Sequence, residues 1–173
     1  MPVKKPDYTF DVKVFKELLS EDEKFLKETA RQTVGKRGDR YNDTRSIVLN
    51  VHFGLEQLMN RIIAFSCSLG VAELGRDGRF KELVGAFSGM DYFKKLSITR
   101  ALSVFSKESI SILTIVNNVR RAFAHNYKEG HSDYKYKGTS IFNKETISKL
   151  LEDRRKIFRE GSNLIIGYTK RSK

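Results

Sequence analysis

KESISILTIVNNVRRAFA, residues 107–124, carries the clearest helical pattern of the chain. Its apolar side chains recur mainly at intervals of three and four residues, which places them on one face of an α-helix: Ile112, Ile115, Val116, Val119, Ala122 and Phe123. Ser106 stands directly before this stretch, and serine is a preferred N-cap residue. The pattern predicts a helix over 107–124 with one buried face.

Similar signals predict further helices on both sides of this segment. On the longest of them, 44–69, Ile47, Leu55, Leu58, Ile62 and Phe65 form the buried face. The sequence S-E-D-E at 20–23 has the form of a capping box, and Asp91 and Asn143 are further N-cap candidates. The remaining predicted helices span 11–19, 20–34, 79–87, 91–105 and 143–168.

The prolines restrict the fold class. Both of them, Pro2 and Pro6, lie at the N-terminus, so no proline interrupts a helix from Asp7 onward. The polar segment 126–142 is predicted to be a loop or a short β-hairpin. The sequence therefore predicts an all-α, single-domain helical bundle of five to seven helices, with one short hairpin allowed near 128–142. The domain is expected to span 11–169, after a flexible arm at 1–10 and before a basic tail at 170–173.

The composition bears on partners and location. The 173 residues include 33 Lys and Arg against 21 Asp and Glu, a net charge of +12, which favours a polyanionic partner such as nucleic acid. A basic surface without a dedicated partner explains the charge as well. The lone Cys67 excludes an intramolecular disulfide, and we expect a buried small side chain there. Because residues 1–11 lack the apolar region of a secretory signal and no stretch of about 18 apolar residues occurs, we expect a cytoplasmic location, away from the membrane.

Arg120 and His125 are the residues with the strongest chemical potential. Positions five apart lie about 140° apart on a regular helix, so the two side chains meet only if the helix unwinds, for which Asn126 and Gly130 are suitable terminators. A guanidinium beside an imidazole suits metal-independent phosphodiester cleavage, because one binds the phosphate and the other transfers a proton. The structural alternative places His125 at the negative end of the helix dipole and pairs Arg120 with a neighbouring helix.

The run RRAFAH at 120–125 resembles the R-x4-H signature of the HEPN superfamily. The layout of 92–102, 115–120 and 52–58 is similar to that of the mannitol operon repressor family, and the resemblance covers roughly residues 44–127. It implies a dimeric helical bundle in which two R-x4-H segments meet across a cleft, with Arg120 and His125 in the catalytic positions. Many HEPN proteins are metal-independent endoribonucleases of toxin–antitoxin or other defence systems, and others are binding modules without catalytic activity.

Other residues are assigned smaller roles. Arg121 stands where the family usually has a polar residue, which places catalysis in question while adding a cation for RNA. With Lys128, Arg154 and Arg155, it is predicted to contact nucleic acid, although a solvated helix face explains such residues equally well. Tyr127 completes R-x4-H-x-Y and resembles the tyrosine that a partner nucleotidyltransferase adenylylates in some toxins; an ordinary loop aromatic is the alternative.

Two further patterns leave alternatives open. Tyr134 and Tyr136 alternate with lysines, a pattern that suits either base stacking or a small hairpin edge. His125, His131 and Asp133 match no metal-site template, so neither a metal nor another cofactor is expected.

Two functions are consistent with these observations. The first is a homodimeric HEPN-type endoribonuclease or toxin-like RNA-binding protein, with an antitoxin or nucleotidyltransferase as a possible partner. The second is a non-enzymatic regulator of the mannitol operon repressor type, acting in transcription regulation through protein–protein contacts.

Overall fold

A computed structural model describes Ser20, Lys24 and residues 40–68, 79–125 and 134–171, and these ranges contain five helices and one small hairpin. The elements, in chain order, are α1 (Arg40–Ser68), α2 (Arg79–Ser88), α3 (Tyr92–Ala101), α4 (Lys107–His125), β1 (Lys135–Tyr136), β2 (Thr139–Ser140) and α5 (Lys144–Arg171). The expectation of a mostly all-α single domain is confirmed. The predicted arm at 1–10, the helix at 11–19 and nearly all of the helix at 20–34 lie outside the described residues; Ser20 and Lys24 are helical.

Three predicted helix caps are confirmed by their hydrogen bonds. The side chains of Asp91, Ser106 and Asn143 each accept a bond from a backbone N–H two or three residues further along, at 2.9, 3.2 and 3.0 Å respectively. Such bonds satisfy N–H groups that the first helical turn leaves without a partner.

Two helix boundaries differ from the predicted ones by four residues, and the last helix runs to Arg171 instead of 168. Helix α1 begins at Arg40, four residues before the predicted start. Helix α3 ends at Ala101, four residues early, because Ser103 takes a left-handed conformation with φ of 52°. The Ser103 N–H then donates to the Arg100 carbonyl and the Val104 N–H to the Thr99 carbonyl, which is the hydrogen-bond pattern of a Schellman motif.

Helix α1 lies at the centre of the described fold and packs against each of the other four helices. Its predicted face is buried, and the stripe of α4 is buried as well except for Ile115, which is half-buried. Helix α5 approaches α1 closely at Gly161, where an added Cβ would lie 2.8 Å from the Ile62 Cδ1 atom.

The hairpin predicted within 128–142 is present at 135–140. Its turn residues Lys137 and Gly138 both have positive φ, 48° and 82°, as a type I′ turn requires. Tyr134 and Tyr136 are 2% and 1% exposed, so the hairpin interpretation is confirmed and these rings present no stacking surface to bases. The Tyr136 hydroxyl instead donates to Asp153 Oδ2 at 2.6 Å and attaches the hairpin to α5.

Candidate functional site

The last turns of α4 carry the R-x4-H residues, and the helix remains regular through His125. The unwound final turn that would bring the two side chains together within one chain is therefore not present in the described residues. Arg120 is half-buried, whereas Arg121 and His125 are exposed. At 100° per residue the side chains of Arg120 and His125 point about 140° apart, so a single chain does not place both at one phosphate.

A different histidine, His52 of α1, lies near Arg120. Its ring is 7% exposed and stacks on Tyr92 of α3, with 4.6 Å between ring centroids. The His52 Nε2 atom lies 3.2 Å from Asn117 Oδ1, one helical turn before Arg120 on α4. His52 thus occupies the point where α1, α3 and α4 meet.

Glu56 and Lys95 form a buried ion pair next to this histidine. Lys95 is 0% exposed, and its ammonium donates to Glu56 Oε1 at 2.5 Å and to the Ser88 carbonyl at 3.2 Å. Glu56 Oε2 lies 4.0 Å from His52 Nδ1. One carboxylate therefore faces both a buried ammonium and the imidazole.

The surroundings of His52 favour its neutral form. Burial lowers the pKa of His52 below its usual value of 6.5, and the positive charges of Arg120 and Lys95 lower it further, against opposing effects of Glu56 and the Asn117 hydrogen bond. At pH 7 the imidazole is accordingly uncharged, and with its proton on Nε2 it donates to Asn117.

The sequence did not single out this cluster. Residues 52–58 contribute to the family resemblance, which implies no role for His52. The available signal was the i, i+4 spacing of His52 and Glu56 on one helix face. Nothing in the sequence, however, indicated that Asn117, 65 residues away, would complete the group.

The predicted basic contacts occupy different environments. Arg154 is 4% exposed and lies against Gly54 of α1, with its Cζ atom 4.5 Å from the Phe158 ring centroid. This burial removes Arg154 from a solvated, phosphate-tracking surface, whereas Arg155 is exposed and stays a predicted RNA contact together with Arg121. Tyr127 and Lys128 lie outside the described residues, as do His131 and Asp133.

The last features to place are the cysteine, a metal site and a membrane span. Cys67 is exposed, which corrects the expectation of a buried thiol. Within 40–68, 79–125 and 134–171, no group of three or more His, Cys, Asp or Glu side chains is placed to hold a metal ion. None of the helices in the same ranges combines the length and apolar character needed to cross a bilayer.

Comparisons with protein-family models, with curated proteins and with solved structures give no match for this chain.

Proposed function

We propose that this protein is a HEPN-type RNA-binding protein that cleaves RNA without a metal ion, as a homodimer with Arg120 and His125 at a shared cleft. The observation that carries the proposal is Arg120 itself. Arg120 is half-buried on the helix that carries His125, its charge lowers the pKa of His52, and no described residue forms an ion pair or hydrogen bond with it. An arginine without a carboxylate partner is suited to a phosphate.

The regular end of α4 supports the dimer. Because Arg120 and His125 point about 140° apart within one chain, they act on the same phosphate only when two copies each contribute one of them. In the proposed cleft, the guanidinium stabilises the charge that develops on the phosphate oxygens. The imidazole of the partner's His125 takes the proton of the 2′-hydroxyl as its oxygen bonds to phosphorus, and it then gives a proton to the 5′-oxygen as the P–O5′ bond breaks, which leaves a 2′,3′-cyclic phosphate.

RNA cleavage in EDTA tests the nuclease. We expect the wild-type protein to cut single-stranded RNA and His125→Ala to reduce the rate by roughly 10²–10⁴-fold, the usual contribution of general acid–base catalysis. RNA binding should hardly change, since a neutral imidazole releases little counterion. Arg120→Ala should weaken both binding and cleavage, because the guanidinium contacts the phosphate in the ground state and in the transition state.

His125 is exposed at the helix end, so His125→Ala removes few packing contacts, and thermal melting provides the folding control. A wild-type protein that binds RNA without cutting it would refute the nuclease.

The regulator of the mannitol operon repressor type remains the second proposal, and exposed aromatic rings favour it. Phe53 on α1 is 60% exposed and Phe93 on α3 is 42% exposed, and apolar rings in solvent are common at protein–protein interfaces. This function predicts no RNA cleavage and a stable complex with a partner protein, weakened by Phe53→Ser and Phe93→Ser. Melting curves matching the wild type would show that these substitutions act on the interface.

A further inference from the structure

Arg45 of α1 faces the seam between α1 and α4, which two contacts define. The Tyr41 and Phe123 rings lie 5.5 Å apart at one end of the seam, and His52 bonds to Asn117 at the other. Arg45 lies between Tyr41 and His52 on α1 and is displaced by only about 40° and 20° from them around the helix. Arg45 therefore shares the α1 face that packs on α4.

Arg120 occupies the matching position on α4. It stands three residues after Asn117 and three before Phe123, about 60° around the helix from each, and both of those residues contact α1. The two helices run antiparallel, because Tyr41 faces Phe123 and His52 faces Asn117, so Arg45 and Arg120 both lie between these two contacts along the seam. The seam thus receives one half-buried arginine from each helix.

The charge in this seam is not balanced by the described residues. Arg45 and Arg120 form no ion pair or hydrogen bond within the ranges that the structure describes, and the Arg45 Nε atom is buried without an acceptor there. The Glu56 carboxylate, which lies on the same side of α1, is already bonded to Lys95. Withdrawing a guanidinium from water without an acceptor costs free energy, and an anion between the two arginines would offset that cost.

We propose that Arg45 and Arg120 form a phosphate-binding cleft that holds the backbone of single-stranded RNA, with His52 and Asn117 at its inner end. The inference deepens the proposed function, on which it rests, by adding Arg45 to the site and naming the group it binds. Each guanidinium presents a planar fork of N–H donors that matches two phosphate oxygens.

The cleft is tested with a fluorescent 2′-O-methyl decauridylate, which lacks the attacking hydroxyl and so reports binding separately from cleavage. We expect Arg45→Ala to weaken binding roughly tenfold and to reduce the slope of log affinity against log salt by about 0.7, the value for one phosphate contact on a single strand. Arg45→Lys should keep the slope and lose part of the affinity. Arg159→Ala, at an exposed position on α5, is the matched control and should bind within twofold of wild type.

A second arm uses inorganic pyrophosphate and nuclear magnetic resonance, because free phosphate compounds share the chemistry of the RNA backbone. The Arg45 Nε–Hε signal and the His52 ring signals should shift saturably in the wild type, and the shifts should be lost in Arg120→Ala. Pyrophosphate binding without oligonucleotide binding would overturn RNA as the ligand.

The other outcomes separate this cleft from the proposed nuclease. If Arg45→Ala melts like the wild type and binds the oligonucleotide like Arg159→Ala, Arg45 has no part in the site, even when the wild type cuts RNA. If Arg45→Ala shows the expected losses while the wild type leaves ordinary RNA intact, the cleft is supported and the nuclease is refuted.

Discussion

Replacing Lys95 with Met would remove the fully buried partner of an ion pair while keeping most of the side-chain volume. The carboxylate of Glu56, 24% exposed, would lose its contact at 2.5 Å, and the Ser88 carbonyl would lose its donor. Breaking such a pair costs about 3–5 kcal/mol. A carboxylate can limit this cost by taking up a proton, which for an ordinary glutamate at pH 7 requires about 3.7 kcal/mol. We therefore expect Lys95→Met to lower the free energy of unfolding by about 3 kcal/mol.

Replacing the other partner of the pair, Glu56, is expected to lower the free energy of unfolding further. Glu56→Gln leaves the Lys95 ammonium in a site with no solvent exposure. An ammonium can limit the cost of its isolation by losing a proton, which for an ordinary lysine at pH 7 requires about 4.6 kcal/mol. This limit is higher than the one for a carboxylate, so Glu56→Gln can cost more stability than Lys95→Met. The double variant Glu56→Gln/Lys95→Met should lose less stability than the two single losses together, since neither charge is then abandoned in the interior.

Urea unfolding followed by circular dichroism measures these differences. The matched control is Lys156→Met, which breaks a pair of similar length, 2.7 Å to Glu108 Oε2, between side chains that are 55% and 57% exposed. Solvent screens such a pair, so its unfolding midpoint should stay close to that of the wild type. A Lys95→Met midpoint as close to wild type as this control, or a double variant with strictly additive losses, would refute the buried-pair reasoning.

Four other substitutions test the fold and the site. Gly161→Ala should lower the free energy of unfolding by about 1–3 kcal/mol, because its Cβ would lie 2.8 Å from a buried side chain of α1. Gly85→Ala, where an added Cβ has nothing within 4 Å, should raise that free energy by up to about 1 kcal/mol. Equal urea midpoints for the two variants would contradict the close approach at Gly161. Ser103→Gly should raise the melting temperature, because glycine adopts the observed φ of 52° without a Cβ clash, and a lower melting temperature would contradict this. The lowered pKa of His52 means that the unfolded chain takes up this proton first, so stability present above pH 6.5 is lost as the pH falls. His52→Gln should flatten the curve of stability against pH between 7 and 5, and curves parallel to those of the wild type would contradict this.

The features that the sequence predicted correctly are local. The stripe of α4 depends on residues three or four apart, and the caps at Asp91, Ser106 and Asn143 involve bonds to residues two or three positions on. The end of α3 escaped prediction because its left-handed position holds Ser103, where glycine is the usual marker. Burial of Arg154 escaped prediction for a different reason: it depends on Gly54 of α1, whose missing side chain leaves room for the guanidinium.

In the candidate site, too, residues close together in the sequence could be predicted, and contacts between distant residues could not. Arg120 and His125 could be selected from their spacing, yet that spacing alone did not show that α4 stays helical to His125. The contacts of His52 with Tyr92 and Asn117 join positions 40 and 65 residues apart. Such a cluster follows only from how α1, α3 and α4 pack, which depends on the whole core.

Mixing two inactive variants tests whether the catalytic pair belongs to one chain or to two. If each site combines Arg120 of one copy with His125 of the other, a mixed dimer of Arg120→Ala and His125→Ala chains holds one site with both residues intact and one site lacking both. Random exchange makes half of the dimers mixed, so a mixture of the two inactive proteins should regain about a quarter of the wild-type cleavage rate. A site formed within a single chain predicts no recovery, because every chain in the mixture lacks one of its residues. Co-refolding from urea ensures subunit exchange. The control is a mixture of the wild type with the chain that carries both substitutions, because the mixed dimers of that mixture contain no site with both residues intact. Cleavage that remains at the level of the separate variants would exclude the shared cleft.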